Sequence, residues 1–216
     1  MKKLISLVMA ITMIFSVFTV NVGAAEIDTT NREQLLSLAC QVFPEYAAKI
    51  AADQAPTSDG IKSVSENIEI IFTETRKAND DFYITYTEHS NGVVTLANFD
   101  TEEKIIYNQG TVSGNSTYYD VTLYGTTLGS ANDFTASHVK FVVNNPGYDQ
   151  ITSTGTTNIA YHHTNEVDVT LNEWESASYA ASIAYRFTLT VGSLPFRGLF
   201  EFTLRNNEPF VLYTID

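Results

Sequence analysis

Apolar positions along the chain follow two periods in succession. In TNREQLLSLACQVFPEYAAKIAAD, Leu35, Leu36, Leu38, Ala39, Val42 and Phe43 recur every three or four residues, the spacing of one helical face. Thr30 with Glu33 three places on has capping-box spacing and predicts the helix start there. Pro44 has no N–H for an interior helical hydrogen bond, so a first helix ends near Phe43 and a second runs to about Asp53. Tyr46, Ala47 and Ile50 carry the stripe onward, and such a stripe is expected to pack on its own domain. QAPTSDG then reads as a linker.

Past Gly60 the period becomes two. IEIIFTET, FYITYTE, GVVTLANF, KIIYN, TYYDVTLYG, HVKFVVNN, NIAYHH, VDVTL, ASIAYRFTLTV, GLFEFTL and PFVLYTI are short, rich in β-branched and aromatic residues, and separated by turn formers. They predict an antiparallel body of roughly nine to eleven strands. From Tyr179 to Val191 the odd positions (Tyr179, Ala181, Ile183, Tyr185, Phe187, Leu189, Val191) form an apolar face, and the even ones are polar or small. A two-residue turn at Asn206 and Asn207 sets Arg205 opposite Glu208, Phe202 opposite Val211 and Phe200 opposite Tyr213. Asn91-Gly92 marks another hairpin turn.

The expected fold is mainly β: an antiparallel β-sandwich or strongly curved sheet with a short N-terminal helical segment, with a closed β-barrel as the alternative. No fixed-period repeat points to a propeller or solenoid.

Ahead of this body, MKKLISLVMAITMIFSVFTVNVGAA runs from two lysines through an apolar segment into small residues, the order of a secretory signal peptide. The organisation is thus a signal peptide at 1–25, a helical segment and linker at 26–60, and an all-β domain at 61–216. The expected location is extracellular, with membrane contact confined to the signal segment if it stays uncleaved. Loss of residues 1–25 removes Lys2 and Lys3 and no acid, so the net charge of −13 becomes −15. So acidic a surface repels phosphate backbones, which argues against nucleic-acid partners.

Cys40 is the sole cysteine, so no intramolecular disulfide forms. It lies well inside a helix among apolar residues, not at the first turn where a thiolate is stabilised, and reads as a small buried side chain.

Candidate chemistry is sparse. IAYHHTNEVDVTL holds two of the four histidines. Read as a hairpin, it sets His163 against Val167, Tyr161 against Val169 and Ile159 against Leu171 on one apolar face, with His162 opposite Asp168 on the other. Adjacent strand residues point to opposite faces, so the two histidines do not share one ion in that arrangement. His162 and Asp168 then form a cross-strand pair. Serine-hydrolase, zinc-peptidase, phosphate-loop and EF-hand signatures are absent from the sequence, and no cofactor or metal is expected. The acidic stretches KANDDF and ANFDTEE read as turns.

Aromatic residues carry the remaining signal. Tyr118, Asp120, Thr122 and Tyr124 share one face of their strand, and Trp174 sits between Glu173 and Glu175. Rings beside hydrogen-bonding groups suit the apolar faces of sugars. These residues, with His162 and Asp168, form the candidate ligand site. The expected function is a secreted, non-catalytic protein binding an extracellular glycan or surface protein. The alternatives are a small extracellular hydrolase using carboxylates or a histidine site, and a structural component docking through its N-terminal helices.

Overall fold

The computed structural model describes residues 30–54, 68–79, 82–100, 104–105, 115–130, 133–145, 147–159, 167–191 and 194–215. The leader, most of the linker and His162 lie outside them.

Among the described residues two helices come first, α1 at Arg32–Val42 and α2 at Ala47–Ala52. The cap of α1 is Asn31, one residue later than the Thr30–Glu33 pattern predicts, because its side-chain oxygen takes the Gln34 N–H at 3.1 Å. The break between helices falls at Pro44, and α2 ends on Asp53 in the left-handed conformation, φ 41°.

Eleven strands follow among the described residues: β1 Ile70–Lys77, β2 Phe82–His89, β3 Val94–Asp100, β4 Lys104–Ile105, β5 Asn115–Thr127, β6 Phe134–Asn145, β7 Gln150–Ile159, β8 Asp168–Asn172, β9 Ala181–Val191, β10 Leu194–Arg205 and β11 Glu208–Ile215. They form two antiparallel sheets that do not close into a barrel. One has the order β1-β2-β3-β5-β6-β7 with β4 beside β5; the other is β11-β10-β9-β8.

The sandwich core lies between the sheets. From β9 it takes Ala181, Ile183, Tyr185, Phe187, Leu189 and Val191, the odd face of the sequence pattern apart from Tyr179, which precedes the strand and is exposed. Phe134 of β6 packs its ring 4.9 Å from both Phe187 and Phe200. Gly125 of β5 faces this cluster because a Cβ there would come within 2.8 Å of the Phe200 and Tyr213 rings. The β10–β11 hairpin has the predicted register, Arg205 to Glu208 through Phe200 to Tyr213, with Asn206 and Asn207 at φ 53° and 66°.

A second apolar cluster lies on the opposite face of the larger sheet. Leu35, Ala39, Phe43 and Ile50 cover Phe82, Ile84, Tyr86, Val94, Leu96, Tyr124 and Leu128, and Tyr46 stacks on Tyr86 at 4.6 Å. The helical stripe therefore packs on its own sheet. Arg32 fastens it: the guanidinium pairs with Asp53 at 2.5 Å and Asp133 at 2.8 Å, donates to Thr127 O, and meets the Thr126 hydroxyl. Arg76 does the same from β1, bonding Glu74, Glu45 and Val42 O while lying 4.7 Å over the Phe43 ring.

Side chains of the larger sheet also hold the β11 backbone. Thr95 donates its hydroxyl to Tyr213 O, and His89 Nε2 accepts the Ile215 N–H at 3.3 Å. An imidazole accepting at Nε2 carries its proton on Nδ1, so Nδ1 donates to Val93 O at 3.1 Å. Burial pushes the His89 pKa below its ordinary value, against the smaller opposing effects of the Val93 bond and Glu88.

Of the hairpin read in IAYHHTNEVDVTL, residues 160–166, with Tyr161, His162 and His163, lie outside the described residues, and among those described Ile159 is not paired with Leu171. Ile159 ends β7 opposite Phe134, whereas Val169 and Leu171 of β8 pair with Tyr185 and Ile183 in the other sheet. The strand QITSTGTTNI, unmarked by apolar alternation over most of its length, is β7.

Candidate binding face

The helices cover the larger sheet over β2, β3 and the end of β5, where Tyr124 lies. Tyr118 is at the other end of β5, beyond that cluster. It pairs with Val142 of β6, Val142 pairs with Gln150 of β7, and Gln150 bridges to Trp174. Residues directly opposite across antiparallel strands share a face, so Tyr118, Val142, Gln150 and Trp174 form one row on the face turned away from the sandwich core. Tyr118 is half-buried and Val142 buried, while the Trp174 side chain is 54% exposed. Tyr148, two residues before Gln150, is also exposed.

Asp120 stands next to the row, two residues along β5 from Tyr118. Its carboxylate lies 3.3 Å from His138 Nδ1 and 3.4 Å from Lys140 Nζ, both on exposed side chains. His138 takes φ 61° at an irregularity of β6 between the Val121 and Leu123 pairings, and so reaches a carboxylate two strand positions away from regular register.

The backbone below Trp174 is held on both sides. Ile151 N–H donates to Glu173 O and Glu175 N–H to Asp149 O, each at 2.9 Å, and Gln150 Nε2 donates to Glu173 Oε1 at 2.7 Å. Glu175 and Asp149 point into the protein as a pair of buried carboxylates. Glu175 Oε1 accepts Asn206 N–H and Oε2 accepts Asp149 N–H; Asp149 Oδ1 accepts Asn144 N–H and Oδ2 accepts Asn207 N–H. Burial raises the Asp149 pKa and Glu175 adds to it, whereas the N–H donors from Asn144 and Asn207 act the other way. With each oxygen aimed at a backbone donor, the pair acts as a clasp between the sheet junction and the β10–β11 turn.

The sequence-derived candidates therefore separate. Tyr118, Asp120 and Trp174 come to one face, on which Trp174 is exposed and Tyr118 and Asp120 are half-buried. Tyr124 is corrected: it is 2% exposed beneath the helices, because the face it shares with Tyr118 is covered at its end of β5. Asp168 lies opposite Arg186 on β8 and β9, and His162 falls outside the described residues, so their predicted pairing is not described. Val142, Gln150, Lys140 and Tyr148 were not singled out from sequence. Strand pairing brings them to the face, and HVKFVVNN held that signal once aligned against TYYDVTLYG.

Among the described residues no group of three or more His, Cys, Asp or Glu side chains is placed to hold a metal ion, and no helix is long and apolar enough to cross a membrane. Cys40 is half-buried, with Sγ 3.5 Å from Ala47 O and its pKa raised by burial. Fold and face together define a two-layer antiparallel β-sandwich with a helical cap on part of one sheet. No protein-family model matches the chain, and no curated protein or solved structure matches it.

Proposed function

We propose that this is an exported, non-catalytic β-sandwich protein that binds an extracellular glycan through the outer face built on Trp174, Tyr118 and Asp120. The observation that carries the reading is Trp174: a large ring left half in solvent on a backbone fixed from both sides. An apolar ring held without much conformational freedom loses little entropy when a sugar face stacks on it. Asp120, Lys140, Gln150 and Glu173 supply hydrogen-bonding groups around the row. Export is the reading of the leader pattern in residues 1–25. A surface protein is the alternative ligand.

The test is a screen of the purified protein against immobilised glycans and extracellular proteins, with Trp174→Ala as control. Removal of a stacking ring costs on the order of 1 to 1.5 kcal/mol, so the variant is expected to bind about tenfold more weakly. A variant that binds as tightly as the parent places the ligand elsewhere.

A further inference from the structure

A two-residue hairpin turn leaves the N–H groups of its central residues outside the strand ladder. In the β10–β11 turn each of these is met by a different acid. Glu175 Oε1 accepts Asn206 N–H and Asp149 Oδ2 accepts Asn207 N–H, both at 2.9 Å. The two acids come from separate connections, and both are buried, Asp149 at 0% exposure and Glu175 at 7%. Their remaining oxygens are committed as well: Asp149 Oδ1 accepts Asn144 N–H at 2.9 Å and Glu175 Oε2 accepts Asp149 N–H at 3.1 Å.

N–H donors favour the ionised form of an acid, whereas burial and a second negative charge close by oppose it. For Asp149 burial is the largest influence. The donors from Asn144 and Asn207 act against it, the Glu175 charge and a hydrogen bond to Glu175 add to it, and the pKa lies above the ordinary 3.8. The charge acting on Asp149 is thus one of its own sign. Of the other charged or titratable groups on the packed elements, Glu173 is engaged by Gln150 and Lys140 by Asp120, while Arg205, Glu208 and Tyr148 are exposed.

A proton on Asp149 changes the contact between the two acids. The neutral acid has an O–H that the Glu175 carboxylate accepts; the ionised pair has acceptors only, and like charges in surroundings that screen them poorly. That repulsion bears on a particular bond. The backbones of the same two residues are joined by Glu175 N–H to Asp149 O at 2.9 Å, one of the two bonds that bracket Trp174. Side chains pushed apart therefore work against the hold on Trp174 and against both donors of the β10–β11 turn.

We infer that Asp149 and Glu175 form a proton-operated clasp, which holds Trp174 and the β10–β11 turn firmly with one proton shared between the two acids and loosens both when that proton leaves. The proton comes from water and returns to it, and the O–H is the only covalent bond that changes. The folded Asp149 pKa is raised, so the tight form is fully present below 3.8 and is lost as pH rises through the folded value. At the face proposed above, a sugar then stacks on a firmer ring toward acid pH. That consequence rests on the glycan reading; the clasp does not.

Trp174 is the chain's single tryptophan, so its fluorescence reports this segment without a label. Emission anisotropy and acrylamide quenching of the purified protein are followed from below 3.8 to neutral pH. The parent is expected to show a one-proton step with its midpoint above 3.8, with lower anisotropy and faster quenching on the alkaline side, at constant far-ultraviolet circular dichroism. Exchange of the Asn206 and Asn207 amides is expected to quicken across the same step. Asp149→Asn has no proton to lose and Glu175→Gln removes the like charge, so each is expected to abolish the step, and either decides the matter if the other does not fold. Glu173→Gln, which removes the acid on the other side of Trp174, is expected to keep it. A parent without the step, or a folded Asp149→Asn or Glu175→Gln that retains it, overturns the inference. A failed glycan screen with the step intact removes the ligand and leaves the clasp, and glycan binding without the step does the reverse.

Discussion

Replacing His89 with leucine tests how the sheets are joined. The imidazole is buried, takes the Ile215 N–H on Nε2 and donates from Nδ1 to Val93 O. Leucine fills a similar space and makes neither bond. Val93 O keeps the His89 backbone N–H, at 3.0 Å, so its loss is partial. Ile215 N–H loses its side-chain acceptor, and a buried unsatisfied donor costs about 1 to 3 kcal/mol; with about 1 kcal/mol for the Nδ1 bond, the expected loss is about 2 to 4 kcal/mol. Urea unfolding followed by circular dichroism measures it. The pH dependence has a definite sign. His89 has its folded pKa below its ordinary 6.5, so the unfolded chain binds more protons. The stability this gives is full above 6.5 and falls as pH drops through the folded value. The leucine variant lacks that slope, so the gap between parent and variant is widest at neutral pH and narrows on acidification. Asp149 has the opposite sense: its raised pKa adds stability below 3.8 that is lost as pH rises through the folded value. It is present in both proteins and cancels in their difference. A gap under about 0.5 kcal/mol, or one constant with pH, would refute the joint assigned to His89.

Three further outcomes are expected. Gly125→Ala places a methyl within 2.8 Å of the Phe200 and Tyr213 rings, and its overpacking lowers stability by about 1 to 3 kcal/mol in chemical denaturation. Arg32→Ala removes the bonds from α1 to Asp53, Asp133 and Thr127 O, with a loss of about 2 kcal/mol; amide hydrogen exchange in residues 32–52 rises more than in β9. Asn206→Ala puts a Cβ-bearing residue that disfavours φ 53° into the β10–β11 turn and costs about 1 kcal/mol in thermal unfolding, whereas Asn206→Gly stays within about 0.5 kcal/mol of the parent.

Particular elements show what was legible in the amino-acid order. β9 could be read residue by residue, because one face is covered by the sandwich core and the other meets solvent along most of its length. The Asn206–Asn207 turn could be read because its backbone requirement and the apolar pairs flanking it select the same register. Of the histidine segment only the flanks are described. Alternation states which side of a strand is apolar, whereas the pairing of Ile159 with Phe134 and of Leu171 with Ile183 depends on strands elsewhere in the chain. β7 escaped notice because threonine, serine and glycine give it little alternation. Tyr124 was assigned to the correct face, but only the path of the helices decides which end of that face is covered. Asp149 and Glu175 are single acids in separate connections, and no local spacing relates them before the sheets meet.

The bonds from Thr95 to Tyr213 and from Ile215 to His89 join residues 118 and 126 positions apart. Until residues 208–215 have been synthesised, the larger sheet lacks the strand that these side chains grip, and the Phe134 cluster lacks Tyr213. Closure is thus a late event in the life of the chain, governed by contacts of long sequence separation that place folding in the millisecond-to-second range. A nascent chain of this design has little means of shutting its core early, so its apolar inner faces stay open to whatever handles the polypeptide during synthesis.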